Sequence, residues 1–315
     1  MKLNVLKQAS LPDALTAELA RRYHLVELTA LTDADFRALA GTFTVLITNG
    51  EATVTRALIA SLPALELIAV FGVGYDGVDV QAAAEHQVRV SHTPGVLTDD
   101  VADLALGLML ATSRQIVAAH KFIEAGEWTA GGFPWTQKVS GSRVGIVGMG
   151  RIGQAIARRC EGFAMQIAYH DRKRLPALNY AWREDLLTLA AESDFLVICT
   201  PGTAANQGLI NQPVLAALGE KGILINISRG SVIDEPALVA ALESGIIAGA
   251  GLDVFSHEPA VPAGLLQRSN VVVTPHMASA TWSTRAAMAQ LVLDNVACWA
   301  EKKALVTPVA ESLAD

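Results

Sequence analysis

Cysteine is scarce in this chain. Cys160, Cys199 and Cys298 are its only three among 315 residues; they sit apart in apolar surroundings, and no two have the spacing of metal ligands. Buried, inert thiols in a reducing compartment are therefore expected over a disulfide, a zinc site or a nucleophile. Positive charge is also short: 24 Lys and Arg stand against 31 Asp and Glu, a net charge of −7. With no basic tract, general binding to nucleic acid or to anionic membranes is not expected, although a local cluster of cations can still hold one anion. Apolar runs stay short as well. Half of the residues are hydrophobic, yet no uninterrupted stretch reaches the roughly 18–20 residues that cross a bilayer. The sequence opens on a strand-like segment at 3–6, without a basic region, an apolar stretch and a small-residue cleavage site. A soluble, cytoplasmic protein is expected. Fixed-period repeats and low-complexity segments are missing too.

What is there is alternation. Apolar, β-branched segments at 3–6, 25–28, 44–48, 67–71 and 88–90 are separated by helical stretches, and a second series follows at 167–169, 195–199, 223–227, 250–254 and 271–274. Strand–helix alternation twice over predicts an α/β protein with two Rossmann-like domains, each a parallel sheet covered by helices. A length of 315 residues suits two domains. The stretch 99–121, apolar and broken only by Gly107, reads as one long helix linking the two series. A last helical stretch, 283–302, follows the final strand and is read as returning to the first domain.

The run Val144-Gly145-Ile146-Val147-Gly148-Met149-Gly150-Arg151-Ile152-Gly153 joins the two series. It reads as a buried strand turning through glycines into a helix over about 154–163. Gly148 permits the tight turn, Gly150 lets a pyrophosphate approach the backbone, and Gly153 lets the helix pack close to the strand. The N–H groups opening the helix, from Arg151 and Ile152 onward, then face phosphates. About 20 residues on, another apolar strand ends in Asp171, where an acid meets the adenosine ribose. A dinucleotide is the expected ligand.

Three further motifs lie past buried strands, where open α/β sheets bind ligands. Ile225-Asn226-Ile227-Ser228-Arg229-Gly230 supplies an arginine, Leu252-Asp253-Val254-Phe255-Ser256-His257-Glu258-Pro259 a glutamate, and Val273-Thr274-Pro275-His276 a histidine. With the fingerprint, Gly72-Val73-Gly74-Tyr75-Asp76, the stretch from Thr93 to Asp103, Gly249 to Phe255 and Leu305-Val306-Thr307-Pro308, the chain resembles the D-2-hydroxyacid dehydrogenase family. It is most similar to the hydroxyphenylpyruvate and glyoxylate/hydroxypyruvate reductase branch.

That resemblance implies a flavodoxin-like substrate domain at 1–96 and 285–315, with a dinucleotide-binding domain at 97–284. It implies NAD(P)H-dependent reduction of a 2-keto acid to the D-2-hydroxy acid at a site between the domains. Arg229 would hold the substrate carboxylate and carbonyl, His276 would donate the proton, and Glu258 would hydrogen-bond His276 and raise its pKa. Val73 and Gly74 would give backbone contacts to the carboxylate. Asp253 would help orient the nicotinamide carboxamide, and Cys199 and Pro201 match the loop beside the cofactor. Asn49 either lines the same cleft or forms a turn. Trp135 reads as an interface or core tryptophan, with contact to a partner's active site as the other reading. His24, His86, His92, His120, His170 and His257 have no comparable support and are read as structural or solvent-facing.

Asp171 favours NAD, since it repels an extra phosphate, whereas Arg172-Lys173-Arg174 favours NADP by offering cations to a 2′-phosphate. NADP(H) is preferred here, with NAD(H) tolerated. A small 2-keto or 2-hydroxy acid is the expected partner, with no metal, and the chain is expected to form a homodimer. The alternatives are a dinucleotide-sensing, corepressor-like protein or a phosphoglycerate dehydrogenase without a regulatory domain. Formate dehydrogenase is disfavoured, because its chemistry needs no carbonyl-protonating His–Glu pair.

Overall fold

The computed structural model describes residues 2–266 and 268–312. The chain divides into two compact units, Met1–Leu97 with Ala280–Asp315, and Thr98–Ser279.

In the first unit, β1 (Asn4–Lys7), β2 (His24–Glu27), β3 (Val45–Asn49), β4 (Leu67–Phe71) and β5 (Arg89–Ser91) form an all-parallel sheet in the order β2-β1-β3-β4-β5. This is the flavodoxin-like order. β4 reads Leu-Ile-Ala-Val-Phe and is buried throughout, as expected of a central strand covered on both faces. Register pairs Asn49 with Phe71 and Ala69 with Ser91. Gly72, Val73 and Gly74 therefore leave the sheet at the edge where His92 follows β5. The Trp282–Ala300 helix, capped by the Thr281 hydroxyl on the Thr284 N–H, packs against β4.

The second unit carries β6 (Arg143–Val147), β7 (Gln166–His170), β8 (Ala181–Trp182), β9 (Phe195–Ile198), β10 (Ile223–Asn226), β11 (Gly249–Leu252) and β12 (Val271–Val273). They form a parallel sheet ordered β12-β11-β10-β9-β6-β7-β8. The chain runs outward from β6 through β8, then returns to lay β9 on the other side of β6. The switch point thus lies beside the glycine turn that follows β6. β9 and β10 are buried from end to end, and Leu196, Ile198, Leu224, Leu215 and Leu238 join one apolar core. Both sheets agree with the α/β reading of the sequence. β8 escapes that reading because two residues are too short to show a period.

The expected single helix over 99–121 is two helices. Thr98–Ser113 buries eight residues, Ile116–Glu124 buries none, and they bend by 54° at a break where Gln115 is left-handed with φ +49°. The break at Arg114-Gln115 holds neither glycine nor proline, so no helix-breaking residue marks it in the sequence. The turn is tied from outside: Arg114 Nε donates to Thr136 Oγ1 at 2.9 Å, and the Gln137 N–H donates to the Ser113 carbonyl at 3.1 Å. Among the described residues no single helix is long and apolar enough to cross a membrane.

Asn295, 1% exposed, fastens the segment after the Trp282–Ala300 helix. Its Nδ2 donates to the Leu291 carbonyl at 2.7 Å and to Thr307 Oγ1 at 2.8 Å, and its Oδ1 accepts from the Thr307 N–H at 3.1 Å. Asn295→Leu leaves the Thr307 N–H as an unmet donor in a partly buried setting. It is expected to destabilise the protein by about 2 kcal/mol and to lower the melting temperature by about 5 °C. Calorimetry of the purified variant checks this.

Candidate active site

Strand register in the second unit aligns His170, Val147, Ile198, Asn226, Leu252 and Val273 across the sheet. The residues that follow these ends, including Asp171, Gly148, Cys199, Arg229, Asp253 and His276, consequently emerge at one edge.

The glycine turn is built by close backbone contact. Gly148 has φ +93°, and a Cβ there would sit 2.9 Å from the Thr200 nitrogen, so the turn rests directly on the Cys199–Thr200 backbone. A Cβ on Gly153 would stand 2.2 Å from the Gly148 carbonyl oxygen, whereas one on Gly150 meets nothing within 4 Å. The Arg151–Glu161 helix starts at Gly150 with no side-chain cap, leaving its first N–H groups to an outside acceptor. An open space at Gly150 in front of uncapped donors fits a pyrophosphate. Arg151 is exposed and Ile152 partly buried beside it. On the opposite side, Asn206 Nδ2 holds Thr200 Oγ1 and the Pro201 carbonyl, both at 2.9 Å. Cys199 is partly buried, and desolvation pushes its thiol upward; burial also pushes Cys160 up, to about 12. Neither is a thiolate nucleophile.

Asp171 lies at the tip of β7, with both oxygens engaged. Oδ2 accepts from the Met149 N–H at 2.9 Å and Oδ1 from the Arg172 N–H at 2.8 Å, so the carboxylate braces the glycine turn. The side chains of Arg172, Lys173 and Arg174 are exposed and have no partner among the described residues.

Arg229 is partly buried beyond β10, where Asn226, itself 0% exposed, shapes its turn. Asn226 Nδ2 donates to the Arg229 carbonyl at 2.9 Å, and Oδ1 accepts from the N–H and hydroxyl of Ser228, each at 3.0 Å. The next residue must be glycine, since a Cβ on Gly230 would overlap the Phe255 carbonyl carbon at 1.9 Å. That contact seats the arginine turn on the loop that leads to Glu258. A second support comes from Glu235, whose Oε1 accepts the Ser256 N–H at 2.7 Å.

Glu258 and His276 are in direct contact, Oε2 to Nδ1, at 2.7 Å, with 26% and 28% of their side chains exposed. Glu258 Oε1 accepts the Phe255 N–H at 2.8 Å. Burial works against the ionised carboxylate, but the hydrogen bonds from His276 and Phe255 and the charges of His276 and Arg229 outweigh it and hold Glu258 below the usual carboxylate range. The pairing also orients the imidazole, turning Nδ1 toward the carboxylate.

Asp253 fixes the histidine loop. It is 0% exposed, and its oxygens accept from Thr274 Oγ1 at 2.6 Å and from the Met277 and Ala278 N–H groups at 2.9 Å each. Burial pushes its carboxyl upward against the pull of those bonds. His276 itself has φ +49° and gives its N–H to the Asp253 carbonyl at 2.8 Å and to the Thr274 carbonyl at 3.1 Å. A non-glycine residue in that region is uncommon and is held by its surroundings.

In the first unit, Val73 and Gly74 are partly buried, and their N–H groups have no acceptor among the described residues. Asn49 forms a turn: Oδ1 accepts from the Glu51 and Ala52 N–H groups at 3.0 and 2.8 Å. Trp135 is 100% exposed, which excludes a core role within the chain. The sequence does not single out Asn226, whose bonds go to Ser228 and Arg229 of its own turn, or Glu235, whose contact is a backbone N–H on a distant loop. The only available signal was an asparagine ending an otherwise apolar strand.

Comparison with known proteins covers almost the entire chain. Residues 106–278 match the family model for the D-isomer specific 2-hydroxyacid dehydrogenase, NAD binding domain. Hydroxyphenylpyruvate reductase of Plectranthus scutellarioides is 45% identical over 309 residues, spanning 98% of this chain and 99% of its own. Glyoxylate/hydroxypyruvate reductase A of Arabidopsis thaliana is 40% identical over 98% of this chain and 99% of its own. The solved NADPH-dependent glyoxylate/hydroxypyruvate reductase of Sinorhizobium meliloti, in complex with NADP and malonate, superposes with a TM-score of 0.92 at 42% identity, covering 99% of this chain and 98% of that one. Likeness of this extent, shared by sequence and fold alike, makes the chain a member of the D-isomer specific 2-hydroxyacid dehydrogenase family of oxidoreductases.

Proposed function

We propose that this protein reduces a small 2-keto acid, of the glyoxylate, hydroxypyruvate or hydroxyphenylpyruvate type, to the D-2-hydroxy acid. The 2.7 Å contact between His276 Nδ1 and Glu258 Oε2, with Arg229 close enough for its charge to act on Glu258, carries this reading. A bound reduced nicotinamide supplies the hydride. Arg229 pairs with the substrate carboxylate and keto oxygen, and its fixed charge stabilises the negative charge that develops on that oxygen. His276 gives the oxygen its proton from Nε2, while Glu258 favours the imidazolium. The Val73 and Gly74 N–H groups bind the carboxylate. Asp253 acts through its hold on the His276 loop, alongside any contact with the cofactor.

The second unit serves as the dinucleotide-binding domain and the first as the substrate domain. Gly148, Gly150, Arg151, Ile152 and Gly153 receive the pyrophosphate, with Cys199 and Pro201 on the facing loop. NADPH is the preferred cofactor. Asp171 already accepts two backbone N–H groups, and Arg172, Lys173 and Arg174 present three side chains without partners among the described residues. The Sinorhizobium relative uses NADPH. NADH remains a weaker alternative cofactor.

We assign the working form to a cytoplasmic homodimer. All three cysteines are free. The Ile116–Glu124 helix buries no residue, and Ile116, Val117, Ile123 and Trp128 add a run of exposed apolar side chains that leads to Trp135. Light scattering of enzyme from the cytosolic fraction is expected to give twice the chain mass; a monomer, or activity confined to membranes, removes this assignment.

Kinetics test the chemistry. His276→Ala and Arg229→Ala are each expected to lower keto-acid turnover about a hundredfold or more, and near-normal turnover in either overturns its role. Because reduction needs the proton on His276, its rate falls as pH rises through the histidine's pKa, whereas hydroxy-acid oxidation rises. Glu258→Gln removes the charge that favours the imidazolium, so the alkaline limb of reduction should move about one pH unit or more downward. Cofactor choice is read from catalytic efficiency with NADPH and NADH. Arg172→Ala should cut the NADPH preference about tenfold, and an unchanged ratio rules Arg172 out.

A further inference from the structure

His92 follows β5 and belongs to none of the groups assigned above. Its ring Nδ1 stands 2.9 Å from the Val73 carbonyl oxygen. A carbonyl only accepts, so Nδ1 carries the proton. One residue on, the Thr93 N–H donates to the Gly72 carbonyl at 2.8 Å. Two consecutive peptide carbonyls, those of Gly72 and Val73, are thus gripped from the same short segment.

The consequence follows from peptide geometry. These peptides are trans, and in a trans peptide the C=O and the N–H of the next residue point in opposite directions. Drawing the Gly72 and Val73 carbonyls toward Thr93 and His92 turns the N–H groups of Val73 and Gly74 the other way. Two successive N–H groups freed in this manner form a small anion-binding concavity. Neither has an acceptor among the described residues. The ring that does the gripping is itself well held. The His92 backbone exchanges bonds with Thr307, N–H to carbonyl at 3.2 Å and carbonyl from Oγ1 at 2.6 Å. The Tyr75 ring meets the His92 ring edge-on at 5.3 Å and 86°.

We propose that His92 is a positioning residue for substrate: its Nδ1–H holds the Val73 carbonyl so that the Val73 and Gly74 N–H groups stay aimed at the keto-acid carboxylate. This rests on the reading of those two N–H groups as carboxylate contacts. His92 touches neither substrate nor cofactor in this scheme. Its influence belongs in substrate affinity, with chemistry and cofactor binding left alone.

A reciprocal pair of variants separates the hydrogen bond from the packing. His92→Phe keeps a ring against Tyr75 and loses the donor. His92→Asn loses the ring, but its amide nitrogen is the same number of bonds from the backbone as Nδ1. With saturating NADPH, His92→Phe is expected to raise both the KM for glyoxylate and the inhibition constant of oxamate about five- to tenfold. Its kcat and KM for NADPH should stay within about twofold of the parent, and His92→Asn should match the parent within about twofold throughout. An unchanged glyoxylate KM in His92→Phe overturns the proposal. So does a loss spread equally over kcat and NADPH affinity, or an Asn variant that melts like the parent yet binds keto acid no better than the Phe variant. A parent protein that reduces no 2-keto acid defeats the functional reading itself, and this inference with it. An active parent with an indifferent His92→Phe defeats only the inference.

Discussion

The geometry of the candidate active site depends on one close approach between backbones. At Gly230 no side chain fits, since a Cβ would lie 1.9 Å from the Phe255 carbonyl carbon. The arginine turn therefore lies flat on the loop that carries Glu258. A second glycine completes the stack: a Cβ on Gly202 would meet Arg229 Cγ at 2.7 Å, so the arginine side chain also runs over the Pro201 loop. Three strand-end loops are layered at van der Waals distance across these glycines, and the Arg229 guanidinium lies within electrostatic reach of the Glu258 carboxylate. A methyl group at Gly230 meets backbone and forces the loops apart, at a cost of about 1–3 kcal/mol or more, whereas one at Gly202 meets the Arg229 side chain, which has to shift.

Around that stack, polar groups without solvent contact do the holding. Asn226 and Asp253 both end up fully buried, and both spend their hydrogen-bonding capacity on the loops beside them. Burying an amide or a carboxylate is unfavourable unless its partners are present, so these loops have one low-energy arrangement. His276 is a product of that arrangement, since its left-handed backbone is fastened through the Asp253 and Thr274 carbonyls. Groups held in this way need little reorganisation when charge develops nearby.

Much of this is legible in sequence, for reasons particular to each residue. Arg229, Glu258 and His276 each follow an apolar strand, and parallel strands deliver their ends to one edge, so their neighbourhood is implied by alternation alone. The glycine turn is legible because glycine spacing directly encodes close approach. Asp171 is legible as an acid at the right distance, but distance does not say whether it meets a ribose or the Met149 N–H. Gln115 is hidden because nothing in its side chain announces a left-handed bend; the reason for the bend lies in Thr136 and Gln137. His92, too, reads as one histidine among seven, and its geometry emerges only when β4 and β5 are laid side by side.

The order of the chain has a further consequence for how the first sheet is finished. β5 forms an edge of that sheet, and the segment that covers it comes from beyond residue 280: Ser91 bridges Pro308, and the Val309 N–H donates to the Val90 carbonyl at 2.8 Å. The helix over β4 arrives from the same distant stretch. During synthesis the five strands of the first unit leave the ribosome long before their cover, while the whole second unit is being made between them. Throughout that interval an apolar face and an open strand edge are exposed, the two features that most invite pairing with another nascent chain. The first sheet is therefore finished only by chain that follows the entire second unit.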